Sequence, residues 1–250
     1  MDREGIFEDL GLRDYKVTWD YQEKLFRDLM AVKLKNRSLT PAEQERQVNR
    51  LIFVEHPHVY TLGRSGSDNN LLVNNIQLQA KEASFYRIDR GGDITYHGPG
   101  QIVGYPLLDL EEFGLTLKAY IHSIEEMILL SLLEYGIEAG RLEGATGVWI
   151  DGQEGDTLLS QSYGSKEGYG GQARKICAIG VKASRYITMH GFAFNINTDL
   201  DYFNYINPCG YTDKGVTSLA KELGEEQDFE KAKLIVKKNF EKVFGINWKS

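Results

Sequence analysis

The chain has 250 residues, 42% of them hydrophobic and 26% charged, with a formal net charge of −7. That length suits one large domain or two small ones, the composition is ordinary for a soluble globular enzyme, and the acidic balance argues against a general nucleic-acid binder. No apolar run approaches the roughly 18 residues of a membrane span, the start MDREGIFEDLG lacks the apolar stretch of a secretory signal, and two cysteines make no disulfide framework, so a reduced, cytoplasmic setting is expected.

The first expected element is a short strand, GIFEDLGL, followed by a helix with Asp14 as its N-cap. In that helix Tyr15, Thr18, Gln22, Leu25, Leu29 and Val32 recur at helical spacing, and Trp19, Phe26 and Met30 widen the stripe. RLIFVE and VYTL read as a strand pair broken at His56-Pro57, with FYRID, DITY and IVGYPLLDL as further strands. A long helix is predicted over residues 116–135, with Tyr120, Ile124, Met127, Ser131 and Tyr135 on one face and Gly136 as its stop.

ATGVWID and KICAIGVKASR read as strands, the second apolar enough to be buried, and GFAFNIN alternates as a half-buried strand does. Two helices close the chain, VTSLAKEL from near Val216 and DFEKAKLIVKKNFEKVFG with Gly245 as its cap. Strands and helices alternate without a regular βαβ rhythm, which predicts an α/β fold with a mixed sheet and flanking helices. Residues 161–173, QSYGSKEGYGGQA, hold four glycines and no aliphatic side chain larger than alanine. They read as a flexible loop between strands, either a lid or a tolerated insertion.

Two kinds of residue carry candidate chemistry. RGGDITYHGPGQ, from Arg90 to Gln101, is poor in apolar side chains, and its glycines allow backbone to approach a ligand closely; the plainer reading is a pair of turns around a short strand. Of the cysteines, Cys177 sits in an apolar strand and reads as core. Cys209 lies between Pro208 and Gly210, in a turn whose backbone amides can hold an oxyanion.

A thiol with an ordinary pKa of about 8.5 is a few per cent thiolate near neutrality, so a nucleophilic Cys209 needs a partner. His56, His58, His97, His122, His190 and Lys175 are all available, and spacing does not choose among them. His56 and His58 would share one face of a strand without a third ligand, so no metal site is expected. G-x-x-x-x-G-K-[ST] and G-x-S-x-G are both missing from the sequence, which excludes a P-loop and a nucleophile elbow.

RGGDITYHGPGQIVGYPLLDL, RKICAIGVKASRYITMHGFAFNIN and INPCGYTDKGVTSL, together with EHPHVYTLGR, resemble the octanoyl-(acyl-carrier-protein):protein octanoyltransferases of lipoate biosynthesis. The resemblance runs from about residue 7 to about residue 225. It implies the fold of biotin and lipoate protein ligase catalytic domains, in one domain over residues 1–250. The family's acyl-binding stretch falls on Arg90, Gly91, Gly92, Asp93, Ile94, Thr95, Tyr96 and His97. Two shorter binding segments fall on Ala178, Ile179 and Gly180, and on His190, Gly191 and Phe192. The acyl-thioester cysteine falls on Cys209, and the lysine that lowers its pKa on Lys175.

The implied reaction takes an octanoyl group from octanoyl-acyl-carrier-protein to a lysine of a lipoyl domain, in 2-oxoacid dehydrogenase complexes and the glycine cleavage H protein. No cofactor, metal, ATP, nucleic acid or membrane takes part. Tyr96 and His97 are expected to line the acyl pocket. The loop 161–173 is longer than the family's usual link before the lysine, which leaves its role as a lid open. An ATP-dependent lipoate ligase of the same fold would need no cysteine, so NPCG speaks against it. A non-catalytic carrier-domain binding module would leave Cys209 inert.

Overall fold

In the computed structural model, which describes residues 3–150, 173–207 and 214–249, nine strands form one mixed sheet. Its order from one edge is β12 (Ile246–Lys249), β1 (Arg3–Leu12), β2 (Asn49–Glu55), β6 (Gln101–Leu107), β10 (Ile187–Asn195), β9 (Arg174–Ser184), β8 (Ala145–Ile150) and β7 (Gly140–Leu142). A two-residue strand, β11 (Gly215–Val216), adds to β9 in parallel. β1 runs parallel to both its neighbours, while β2, β6, β10, β9, β8 and β7 pair antiparallel. A second sheet has the order β4 (Ser84–Arg87), β3 (Val59–Leu62), β5 (Ile94–His97). Cys209 and residues 161–172 of the Gly-rich stretch lie outside the described residues.

Period-2 alternation divides the large sheet between two layers of helix. Leu51 and Phe53 of β2, Ile102 of β6, and Phe192 and Phe194 of β10 face α4 (Leu117–Leu133) and α6 (Phe229–Phe244). Ile52, Val54, Val103, Tyr105 and Met189 face Leu25, Phe26 and Leu29 of α1 (Tyr15–Asn36). With helices on both sides, all nine residues of β10 are buried. GFAFNIN is thus a fully covered central strand rather than the half-buried one its alternation predicts. Three short helices, α2 (Asn75–Ala80), α3 (Leu110–Phe113) and α5 (Leu219–Leu223), complete the α-helices among the described residues, beside two short 3-10 turns at Asp68–Asn70 and Leu200–Tyr205.

The helix signals hold. The Asp14 side chain accepts from the Val17 N–H at the start of α1, the Thr116 side chain caps α4, and Gly245 ends α6 at φ +59°. Three expectations are corrected. RLIFVE and VYTL do not pair, because β2 joins the large sheet and β3 the small one. Val216 belongs to β11, and Ser218 caps α5 instead. The α1 stripe ends on buried Lys33, not Val32, since Lys33 Nζ meets Asp109 Oδ1 at 2.6 Å and Glu111 Oε2 at 2.7 Å.

Candidate active site

A cavity of about 430 Å³ opens where β9 and β10 meet the chain leading into β5, a volume within the usual range of ligand sites. Three separated segments line it: Arg90 to Thr95 with His97, then Ala178, Ile179 and Gly180, then His190, Gly191 and Phe192. Lys175 lines it as well, with Nζ 4.6 Å from the Trp149 ring centroid. Phe192, Trp149, Val103 and Ile121 supply apolar wall.

Glycine explains how these segments close together. The Gly91 N–H donates to Val181 O at 2.9 Å, seating the loop on β9. A Cβ on Gly180 would stand 2.9 Å from both Gly91 O and Arg90 Cδ. A Cβ on Gly63 would collide with Gly92 O. The bare backbone here serves loop-on-strand packing, and the ligand space is what that packing leaves.

Arg90 is buried, and its guanidinium donates to Thr61 O at 2.7 Å, Thr61 Oγ1 at 3.1 Å and Gly91 O at 3.0 Å. Asp93 accepts from Asn70 Nδ2 at 2.6 Å and from the Ile94 N–H at 2.7 Å. His190 sits in the left-handed region at φ +60°, with its N–H donating to Gln22 Oε1 at 3.2 Å. Its Nε2 lies 3.2 Å from Asp89 Oδ1, and Lys182 Nζ lies 2.5 Å from Asp89 Oδ2. The His190 ring, through Nε2, and the Lys182 ammonium hold the Asp89 carboxyl well below the usual range, while burial pushes the His190 imidazole down.

His97 stacks on Tyr15 at 9° between planes and 6.0 Å between centroids. Burial, aided by the charge His56 would carry, pushes its imidazole down to about 3, so the ring is neutral. Its Nδ1 lies 2.8 Å from Gln101 Oε1. Gln101 Nε2 donates to Tyr96 O at 3.2 Å and to Asn195 Oδ1 at 2.8 Å, and Asn195 Nδ2 donates to Thr217 O at 2.9 Å. The Thr217 N–H in turn donates to Lys175 O at 3.0 Å, so this run of amides joins the His97 wall to the strand of Lys175.

Tyr96 does not line the cavity. Its β5 neighbours Thr95 and His97 face the ligand space, while Tyr96 packs with Tyr60, Leu62 and Ile206 behind it. The Tyr96 hydroxyl donates to His58 Nδ1 at 2.7 Å, or accepts from it, while His56 turns away to Arg13 O at 2.7 Å and the Tyr105 hydroxyl at 2.8 Å. The two histidines therefore do not share a strand face. Cys177 is fully buried, and burial pushes its thiol far up, as a core residue requires. Sequence reasoning missed Tyr15, Gln101, Trp149 and Asn195 as wall residues. Only Gln101, the last residue of the glycine-rich stretch, carried a local signal.

The family model of the lipoyl protein ligase A/B catalytic domain matches residues 14–241. The octanoyltransferase of Flavobacterium johnsoniae is 54% identical over 241 residues, covering 94% of this chain and 95% of that one. The octanoyltransferase of Bacteroides thetaiotaomicron is 51% identical over 228 residues, covering 91% and 90%. Among solved structures, one from an archaeal lipoylation system with a bi-partite lipoate protein ligase, of Thermoplasma acidophilum, superposes with TM-score 0.67 at 14% identity, covering 99% of this chain and 86% of that one. A lipoate-protein ligase A bound with ATP gives TM-score 0.64 at 12% identity, covering 100% and 88%. These two bear out the expected fold, and the sequence identities go further: the chain belongs to the octanoyltransferases, acyltransferases built on the lipoyl protein ligase A/B catalytic domain.

Proposed function

We propose that the chain takes an octanoyl group from octanoyl-acyl-carrier-protein, holds it as a thioester on Cys209, and passes it to a lysine of a lipoyl domain. The observation that carries this reading is the convergence of the three predicted binding segments and Lys175 on one cavity. The relatives' name, octanoyltransferase, supports an octanoyl group as the group transferred, and the family's lipoyl protein ligase description supports lipoyl proteins as acceptors. Phe203 and Lys214, on either side of Cys209 in sequence, both line the cavity, which supports Cys209 as the nucleophile.

The chemistry follows from these groups. An octanoyl chain gains about 0.8 kcal/mol per buried CH₂ against walls such as Phe192, Ile179 and Trp149. The Cys209 thiolate, stabilised by the Lys175 ammonium, attacks the carrier thioester, and one thioester replaces another with little change in free energy. The acceptor amine then attacks, and amide from thioester runs downhill without ATP. Lipoyl domains of 2-oxoacid dehydrogenase complexes and the glycine cleavage H protein are the acceptors in this scheme.

The test supplies purified chain, octanoyl carrier and lipoyl domain with no nucleotide. Octanoylation of the domain lysine is expected, and Lys175→Ala should slow it about 100-fold. Transfer that requires ATP and proceeds from free octanoate would instead make the chain a ligase.

A further inference from the structure

An irregularity in the large sheet brings Lys175 to Trp149. Along the antiparallel pair of β8 and β9, Val148 opposes Cys177 and the next residue, Trp149, opposes Lys175, so Ile176 is an extra residue on β9, a bulge. In unbroken register Trp149 would oppose Ile176, and Lys175 would oppose Ile150 on the other face of the sheet from Trp149. The bulge makes Lys175 and Trp149 a directly opposed pair instead, and such pairs share a face. Lys175 Nζ stands 4.6 Å from the centroid of the indole.

The indole is itself fixed. Trp149 is buried, and its Nε1–H donates to Ala145 O at 2.9 Å. Between those two residues Gly147 has φ +123°, and a Cβ there would stand 2.5 Å from Cys177 O and 3.4 Å from Lys175 Cε. The lysine stem therefore passes over bare backbone. The Gly147 N–H donates to Glu125 Oε1 at 3.0 Å, and Arg141 Nε donates to Glu125 Oε2 at 3.1 Å, which ties this part of β8 to α4. A four-carbon stem keeps its rotamer freedom unless its charged end is held, and a ring face attracts an ammonium. We propose that Trp149 is a positioning residue for Lys175: the indole face, with the trough at Gly147, holds the ammonium against the cavity wall. No bond or proton moves on Trp149; it fixes where the group that takes and returns protons stands. This rests on the reading of Lys175 given above.

A double-mutant cycle on steady-state transfer from octanoyl carrier to a lipoyl domain tests this. Trp149→Leu keeps an apolar wall and removes the ring face, so kcat should fall about tenfold while KM for the carrier changes less. In a Lys175→Ala background the same substitution should cost almost nothing further, because its effect passes through the lysine. Trp149→Phe, which restores a ring, should recover most of kcat. A Trp149→Leu penalty that multiplies in full onto Lys175→Ala, or that falls on KM alone, makes the indole only a wall and overturns the proposal, as does an unchanged kcat. Lys175→Ala transferring at the wild-type rate defeats the reading of Lys175 itself, and shows before Trp149 is altered. Independently of how the variants fold, the Cε–Hε resonance of Lys175 in the wild type should lie upfield of the free-lysine position, shifted by the ring current of the indole. A resonance at the free-lysine position overturns the assignment.

Discussion

Two histidines beside the cavity are held neutral by burial, and that has a consequence for stability. His56 is pushed down to about 4 and His97 to about 3, each chiefly by burial. In the unfolded chain both titrate near 6.5, so between that value and the folded values the unfolded state binds more protons. Their contribution is complete above about pH 6.5 and is lost as pH falls towards the folded values, at about 1.4 kcal/mol per pH unit for each ring. Asp89, held low by His190 and Lys182, adds a loss of the same sign at more acid pH. Urea melts between about pH 7.5 and about pH 5 should show the decline, and His56→Phe should remove about one proton from its slope. An unchanged slope would mean that His56 titrates alike folded and unfolded. Tyr96 shows what residue-level reading overlooked. On β5 His97 lines the cavity, while the Tyr96 side chain packs with Tyr60, Leu62 and Ile206 behind it.

At the scale of elements, the site depends on the loop before β5 lying flat on β9 and β3. Gly180→Ala puts a methyl 2.9 Å from the Gly91 carbonyl oxygen and should cost about 1–3 kcal/mol. Gly63→Ala brings its methyl closer still to Gly92 O and should cost more. Chemical denaturation gives both values, and octanoyl loading should fall in the same order. Wild-type stability in Gly63→Ala would mean that the loop is not seated as described. Helices were legible because periodicity and caps are local, as at Asp14, Thr116 and Gly245. Strand partners were not. Three residues separate β2 from β3, which reads as a hairpin until the chain is seen to cross between sheets. Strand β11 is two residues long and exists only through its pairing with β9.

At the scale of the whole molecule, the candidate residues come from three regions of chain that meet because β9 and β10 pair and the 90–95 loop crosses them. Composition could not have shown this. The glycine-rich and strand motifs did, because their resemblance to one family brought the segments together before any contact was known. The apolar wall stayed hidden: Trp149 and Ile121 are ordinary strand and helix residues until the sheet brings them beside Phe192. No described helix is long and apolar enough to cross a membrane. The central claim is that one thiol carries the octanoyl group through this cavity. Intact-mass measurement after mixing with octanoyl carrier, followed by peptide mapping, tests it directly. One octanoyl group on Cys209 is predicted, lost in Cys209→Ala and retained in Cys177→Ala. An adduct mapped to Cys177, or undiminished transfer by Cys209→Ala, would contradict it.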